Sequence, residues 1–143
     1  MGTWDVGPFD SDRAADWCGD LDDAAAAQRP ALVEAALTAV LAEPDYLESD
    51  LAVEAIAAAA IIAAHRPGGP VIESPYAPNF LLKGERMALD HRLDGLALRA
   101  LDRVVADNSE WRELWEETSY YDQALDEVAA IRSVLNGSGP GRG

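Results

Sequence analysis

Apolar residues recur every three or four positions along most of the chain, which is the pattern of amphipathic α-helices, and no stretch shows the strict alternation of a strand. The first helix is predicted over residues 12–27, with a buried stripe formed by Ala14, Trp17, Cys18, Leu21 and Ala25. Asp10 or Ser11 is expected to cap it, because a side-chain oxygen there can accept a hydrogen bond from a free backbone N–H.

Two further helices are predicted before residue 65. Pro30 suits the first turn of the second helix, where a missing N–H costs nothing. The third helix is predicted to begin at Ser49 or Asp50 and to end at Ala64, and beyond Glu54 it is apolar on every side. Such a helix is expected to be buried among other helices.

A proline-rich loop follows, with Pro67, Pro70, Pro75 and Pro78. It is expected to lie against the core through its apolar residues, which are Val71, Ile72, Tyr76 and Phe80. A short helix is predicted over residues 84–91 and a longer one over 93–106. Asp94 is the expected cap of the longer helix, because Gly95 weakens a helix interior.

Two helices are predicted in the last third of the chain. Ser109 caps the first of them, which turns Trp111, Leu114 and Trp115 inward. Ser119 and Asp122 resemble a capping box for the second. The predicted fold is therefore an all-α, single-domain compact helical bundle of six or seven helices over residues 1–136, with an irregular N-terminal segment and a Pro-rich loop. Residues 137–143 are predicted to be a flexible tail.

Composition and charge narrow the function classes. The 143 residues suit one domain, and 11 basic against 26 acidic residues give a net charge of −15. This charge argues against nucleic acid as a partner. The longest uncharged apolar run, residues 55–64, is too short to span a membrane, which needs roughly 18–20 residues. The single cysteine and an acidic N-terminal segment favour a cytoplasmic protein.

The N-terminal sequence Gly-Thr-Trp-Asp-Val-Gly-Pro-Phe-Asp-Ser-Asp at residues 2–12, followed by Ala-Asp-Trp at 15–17, resembles the opening of a bacterial family catalogued as domain of unknown function 4259. The segment Ser-Glu-Trp-Arg-Glu-Leu-Trp at 109–115 is similar to that family's second common motif. Asp5 and Ser11 depart from the usual glycine and asparagine. The resemblance implies a compact, mainly helical protein and supplies no catalytic residues. Trp4 and Phe9 are expected to anchor the N-terminal segment on the helices.

Aspartates on the first helix are the strongest candidates for a functional site. Asp12, Asp16, Asp20 and Asp23 recur on the side opposite Trp17, and like charges at this spacing repel one another. An arrangement that local stability does not favour suits a cation or a basic partner. If a metal binds, the oxygen donors favour magnesium, calcium or manganese. The candidate ligands are Asp10, Asp12, Asp16 and Asp20, and the alternative is a solvated helix face.

A second acidic set lies near the predicted sixth helix. Together the two sets give the candidate residues for binding a basic protein, which are Asp16, Asp20, Asp23, Glu113, Glu116 and Glu117. Opposite charge across an interface accelerates association and fixes orientation.

Catalytic signatures are absent from the sequence. Gly68-Gly69 lacks the lysine of a phosphate-binding loop, and the chain contains no zinc-binding histidine or cysteine motif. His65 is expected to be a helix-end residue, His91 an exposed one, and Cys18 an inert buried thiol. We therefore expect a non-catalytic binding protein, an inhibitor, immunity-like factor or adaptor, with no cofactor. The alternatives are a metal-dependent hydrolase that uses the N-terminal aspartates and a structural homo-oligomer that buries an edge formed by Trp111 and Trp115.

Overall fold

Seven α-helices make up most of the part of the chain that the structure, a computed structural model, describes: residues 7, 9, 11–69, 72 and 77–137. They are α1 (Asp12–Asp23), α2 (Arg29–Leu41), α3 (Ser49–Ala64), α4 (Asn79–Leu82), α5 (Arg92–Val105), α6 (Glu110–Glu116) and α7 (Tyr121–Gly137). A short 3-10 turn, Ala26–Gln28, lies between α1 and α2. No strand occurs within these residues, which confirms the all-α prediction.

Helix α3 lies at the centre of the bundle and packs against α1, α2, α5, α6 and α7. Its buried residues surround the helix, as the uninterrupted apolar sequence predicted: Ala52, Ala55, Ile56, Ala57, Ala58, Ala59, Ala60, Ile61, Ile62 and Ala63. Small alanine side chains let neighbouring backbones come close. The remaining helices therefore surround α3, and each buries an apolar face of its own.

Helix α1 begins as predicted and ends earlier. The Ser11 hydroxyl accepts a hydrogen bond from the backbone N–H of Ala14 at 3.1 Å, so Ser11 is the cap; Asp10 lies outside the described residues. The predicted end at residue 27 is wrong, because the backbone becomes extended at Ala24. Ala25 is exposed, and the buried stripe is Ala14, Trp17, Cys18 and Leu21.

The guanidinium of Arg29 accounts for the early end of α1. It donates hydrogen bonds to the backbone carbonyls of Leu21 and Asp22, both at 3.0 Å. The last carbonyls of a helix lack partners within the helix, so a cation there stabilises its end. Arg29 also lies 3.8 Å from the centre of the Phe80 ring, and this contact joins the start of α2 to α4.

The short helix predicted over residues 84–91 is misplaced, because α4 occupies Asn79–Leu82 instead. Its first turn is capped from α1, where the Asp22 carboxylate accepts hydrogen bonds from the N–H groups of Asn79 and Phe80 at 2.8 and 3.0 Å. Its last turn closes at Gly84, which has a φ of +92°. The N–H of Gly84 bonds to Leu81 O and that of Glu85 to Phe80 O, the pattern of a helix-terminating Schellman turn.

Helix α5 is close to its predicted position, and its predicted cap is wrong. Asp94 lies inside the first turn with its side chain buried, while the Asp90 carboxylate accepts from the N–H of Arg92 at 2.8 Å. Asp94 is buried because its partner is Arg66 at the end of α3, 28 residues away in sequence. The capping function therefore belongs to the exposed Asp90.

Helices α3 and α6 start side by side. The N–H of Leu47 donates to Asn108 O at 2.9 Å, and the N–H of Glu110 donates to Leu47 O at 2.8 Å, which forms one parallel bridge between the preceding loops. Ser109 caps α6 as predicted, accepting from the N–H of Arg112 at 3.4 Å. Trp111 is buried as predicted.

The remaining predictions concern the ends of the chain and the Pro-rich loop. Phe9 is buried as expected, whereas Trp4 lies outside the described residues. In the loop, Ile72 packs partly buried against the core, and Val71 and Tyr76 lie outside the described residues. Helix α7 extends through Gly137, so the predicted domain end at residue 136 falls inside its last turn, and residues 138–143 are not described. None of the helices described is both long enough and apolar enough to traverse a bilayer.

Candidate functional site

The aspartates singled out on α1 face solvent. Asp12, Asp16, Asp20 and Asp23 are all exposed, and none of them forms an ion pair with another described residue. Arg13, the only basic residue of α1, binds the Glu54 carboxylate of α3 and also lies near Asp16. Among the described residues, these four aspartates of α1 therefore have no ion-pair partner, and Arg13 is the cation that lies near Asp16.

The predicted metal ligands do not form a recognisable centre within the described residues. Asp10 lies outside them, and Asp12, Asp16 and Asp20 are exposed at successive turns of one helix. Among the residues described, no three carboxylate, imidazole or thiol side chains come together closely enough to hold a metal ion. A divalent cation usually needs about six oxygen ligands, and one helix face does not supply them.

The glutamates of α6 differ from one another in their surroundings. The Glu113 carboxylate accepts a hydrogen bond from the Tyr46 hydroxyl at 2.7 Å, although the two residues are 67 positions apart. Glu116 lies 3.4 Å from the Arg112 guanidinium, one turn away. Glu117 is exposed at the end of the helix. Arg112 therefore partly neutralises the charge of Glu116, whereas Glu113 and Glu117 have no basic partner among the described residues.

Tyr46 was not predicted as a site residue, and it marks the place where acidic residues converge. The side chain is exposed at 43% in spite of its size. Its hydrogen bond to Glu113 raises the pKa of Tyr46 to about 12, with burial and the negative charges of Glu113, Glu110 and Glu48 acting in the same direction. Carboxylates from α6 and from the residue before α3 therefore lie around one aromatic side chain.

One acidic residue of α1, Asp16, lies near the same end of α3. The pKa of Arg13 is raised by its hydrogen bond to Glu54, and the charges of Asp50 and Asp16 add to this effect. Glu54 and Asp50 belong to the first two turns of α3, and the Glu110 carboxylate binds the N–H of its first residue. We call this surface, defined by Asp16, Glu48, Asp50, Glu110 and Glu113, the acidic end of the bundle.

The two candidate sets are therefore brought together only in part. Asp16 and Glu113 both belong to the acidic end. Asp20 and Asp23 lie one to two turns further along α1, close to the junction with α4. No sequence signal identifies the convergence, because it depends on the contacts of α1 and α6 with the first turns of α3.

A buried ion pair between Arg66 and Asp94 was also missed. Arg66 donates to both carboxylate oxygens of Asp94, the shortest contact being 2.8 Å, and also to the carbonyls of Leu89 and Asp90 at 3.0 Å each. Both side chains are about 95% buried, with exposed fractions of 5% and 4%. The other side of Asp94 faces His91, whose Nδ1 lies 3.8 Å from Oδ2. A pair with this many hydrogen bonds fixes the position of α5 relative to α3.

His65 ends α3 as predicted and has both ring nitrogens engaged. Nδ1 lies 2.8 Å from Ile61 O, and Nε2 lies 3.1 Å from the N–H of Met87. Burial lowers the pKa of His65, and the positive charges of Arg86 and Arg66 lower it further. A histidine bonded on both sides to the backbone is unavailable as a general base.

The cleft beside His65 has a volume of about 440 Å³. It lies between the end of α3 and α4, and its lining is Ala64, His65, Gly69, Ile72, Leu81, Leu82, Gly84, Glu85 and Arg86. Its charged groups already have partners, since Glu85 faces Arg29 at 3.8 Å and Arg86 reaches Ala64 O at 3.5 Å. The lining of the cleft therefore combines apolar side chains, such as Ile72 and Leu81, with charged groups that already have partners.

Cys18 lies on the buried face of α1. Burial raises the pKa of its thiol to about 12, and the charge of Asp22 acts in the same direction. The thiolate is the nucleophilic form of cysteine, so this residue is unsuited to covalent catalysis at neutral pH.

Comparison with known proteins gives one match. No curated protein and no solved structure matches the chain at a significant level. A family model described as Domain of unknown function (DUF4259) matches residues 2–127, which include α1 to α6 and the first turns of α7. The chain therefore belongs to the DUF4259 family.

Proposed function

We propose that this protein is a non-catalytic binding protein that docks a basic protein partner, as an inhibitor, an immunity-like factor or an adaptor does. The observation that carries the proposal is the acidic end of the bundle. There, the carboxylates of Glu48, Glu110 and Glu113 surround one exposed aromatic side chain, Tyr46, and Asp16 and Asp50 lie near Arg13 where α1 meets α3.

The distribution of arginines supports this proposal. Arg13, Arg92 and Arg132 are held by carboxylates of the chain itself, which are Glu54, Glu34 and Asp102. Arg29 and Arg66 are used to hold helix ends together. The cations thus neutralise acids at helix contacts, and the net charge of −15 falls on surfaces such as the acidic end. A surface of one sign attracts a partner of the opposite sign and accelerates its association.

Tyr46 suits the centre of such an interface. Its ring is exposed, and its hydroxyl is held by Glu113. An arginine or lysine from the partner is attracted by an aromatic ring and by the carboxylates around it. Tyrosine is also among the residues enriched in binding hot spots.

Affinity capture with variants of equal charge tests this proposal. Asp16→Lys with Asp50→Lys alters the acidic end, and Asp20→Lys with Asp23→Lys alters the far part of α1. Asp122→Lys with Asp126→Lys, on exposed positions of α7, is the matched control. Each pair of substitutions changes the net charge by +4, from −15 to −11.

We expect the unaltered protein to capture a basic protein at low salt, and the affinity for that purified protein to fall by at least about tenfold in the first variant alone, the effect of roughly 1.4 kcal/mol. A loss of affinity only in the Asp20/Asp23 variant would indicate that the interface lies further along α1. Equal losses in all three variants, or capture of no basic protein, would refute a docking surface, because only overall charge would then matter.

The two alternative functions stay predictions. The metal-dependent hydrolase has no cluster of ligands among the described residues. The homo-oligomer was expected to bury an edge formed by Trp111 and Trp115, and these side chains are already 95% and 92% buried within the chain, with exposed fractions of 5% and 8%.

A further inference from the structure

The backbone between α4 and α5 forms a strap, residues 85–90, that lies across the end of α3. It has no regular secondary structure. Three side chains attach it to the end of α3: His65 binds the N–H of Met87, Arg66 binds the carbonyls of Leu89 and Asp90, and Arg86 of the strap reaches Ala64 O. At Met87, Leu89 and Asp90 the strap is therefore held by two side chains of different chemistry, an imidazole and a guanidinium.

The contacts of His65 require a neutral ring with the proton on Nδ1. Ile61 O can only accept a hydrogen bond, so Nδ1, 2.8 Å away, must be the donor. The backbone N–H of Met87 can only donate, so Nε2, 3.1 Å away, must be the acceptor. A doubly protonated ring is a donor at both nitrogens and leaves the Met87 N–H facing another N–H.

We propose that His65 is a pH-sensitive latch on the strap: protonation of Nε2 removes the acceptor of the Met87 N–H and releases the strap at Met87 from the end of α3. A guanidinium keeps its five N–H donors throughout this range, so the contacts of Arg66 keep the strap attached at Leu89 and Asp90. The released residue directly follows Arg86, which lines the cleft and keeps its own contact with Ala64 O. Acid therefore loosens the strap beside the cleft, whether or not a partner binds at the acidic end.

The charged groups around the latch keep it closed at neutral pH. Arg66 lies next to His65 in sequence, and Arg86 faces it from the strap, and both disfavour a second positive charge. On α5, the Asp94 carboxylate forms an ion pair with Arg66, and His91 lies beside that carboxylate. Glu85 of the strap is directed to Arg29, and Lys83 at the end of α4 is exposed.

The direction of the pH effect follows from these contacts. Burial and the two arginines lower the pKa of His65 in the closed form below its ordinary value of 6.5. The open form therefore binds the proton more readily than the closed form. Stabilisation of the closed strap is complete above about pH 6.5 and is lost as the pH falls below it.

Amide hydrogen exchange measured by NMR tests the latch. The chain contains two histidines, so the variant His91→Asn leaves His65 as its only imidazole. In this variant we expect the protection factor of the Met87 amide to fall by about tenfold between pH 7.5 and pH 5.0, the effect of losing roughly one hydrogen bond. The Leu93 amide, which donates to Asp90 O, should keep its protection.

A second variant removes the titration and keeps an acceptor. In His65→Gln, the side-chain oxygen can replace Nε2, and we expect Met87 protection that does not depend on pH. Constant Met87 protection in His91→Asn while the His65 ring titrates would overturn the latch. The same acid-induced loss in His65→Gln, or an equal loss at Leu93, would also overturn it. The His91→Asn measurement decides the question by itself if His65→Gln does not fold.

Discussion

The carboxylate of Glu110 in α6 accepts a hydrogen bond from the backbone N–H of Ser49, the first residue of α3, at 2.8 Å. The residue that precedes α3, Glu48, makes no side-chain capping bond of its own. The central helix is therefore capped by a side chain that is 61 positions away in sequence. Because of this contact, the stability of α3 depends on a residue of the acidic end, Glu110.

Replacement of Glu110 should weaken the whole fold as the loss of a helix cap does. We expect Glu110→Ala to lower the free energy of unfolding by about 1 kcal/mol, because an N–H of the first turn of α3 loses its partner. Urea unfolding followed by circular dichroism measures this change. Glu117→Ala is the control, since Glu117 is exposed, and it should stay within about 0.5 kcal/mol. Equal effects of the two substitutions would contradict the capping role.

Removal of one member of the Arg66–Asp94 pair should be far more costly. Asp94→Ala leaves a guanidinium buried without its carboxylate, which typically costs about 3–5 kcal/mol. Arg66→Met additionally leaves the carbonyls of Leu89 and Asp90 without this donor. We expect both variants to unfold at markedly lower urea concentration than the parent protein.

The double variant Arg66→Met with Asp94→Leu is the informative comparison. It replaces the ion pair by apolar side chains of similar size, which is often neutral or stabilising. We therefore expect it to be more stable than Asp94→Ala, although Arg66→Met still removes the bonds to the strap. With Asp94→Leu as the matching single variant, a double variant destabilised by as much as Asp94→Leu and Arg66→Met together would show that the two residues act independently.

Two glycine-to-alanine substitutions should have opposite effects on stability, because the space around the two glycines differs. A Cβ at Gly69 would lie 1.9 Å from the carbonyl oxygen of Ala63, so Gly69→Ala must displace the chain from the end of α3. At Gly19, inside α1, a Cβ meets no atom within 4 Å, and Gly19→Ala should stabilise the protein by about 0.5–1 kcal/mol. Thermal unfolding of the two variants should shift in opposite directions. A tolerated Gly69→Ala would contradict the close packing at this turn.

Cys18 provides a test of the buried face of α1. We expect iodoacetamide at pH 8 to leave the folded protein unmodified and to alkylate it rapidly in denaturant, because burial raises the pKa of this thiol to about 12. Mass spectrometry gives the extent of modification. Alkylation of the folded protein at the rate of an exposed thiol would show that this face of α1 is open.

The same thiol predicts a dependence of stability on alkaline pH. The folded state keeps a proton that the unfolded thiol loses at its ordinary pKa of 9.0. The contribution of Cys18 to stability is therefore complete below pH 9 and is lost as the pH rises from 9 towards 12. The difference in unfolding free energy between the parent protein and Cys18→Ala should decline over this range. A constant difference would contradict it.

Local sequence patterns predicted most of the helices because their causes are local. The capping hydroxyls of Ser11 and Ser109 bond to N–H groups three residues ahead. The apolar sequence of α3 requires burial whatever surrounds it. These features depend on neighbours in the chain, so a single sequence contains the necessary information.

Features that depend on distant residues could not be predicted in this way. Helix α4 begins where Asp22 caps it, 57 positions away, and Asp94 is buried because Arg66 meets it across the bundle. Likewise, the Tyr46 hydroxyl can bond to the Glu113 carboxylate only when α3 and α6 pack together. The acidic character of the site was visible in the composition, whereas its location required these long-range contacts.

The alanines of α3 have a consequence for how the core acquires a unique shape. An alanine side chain has no rotamers to lose on burial, so this helix contributes contact area at a small cost in conformational entropy. Because its side chains are small, this helix does little to fix the positions of the helices packed against it. Larger side chains on the surrounding helices, such as Leu37, Leu101 and Val104, must fix those positions. Enlargement or truncation of those side chains should therefore alter the registry between helices more readily than changes confined to α3.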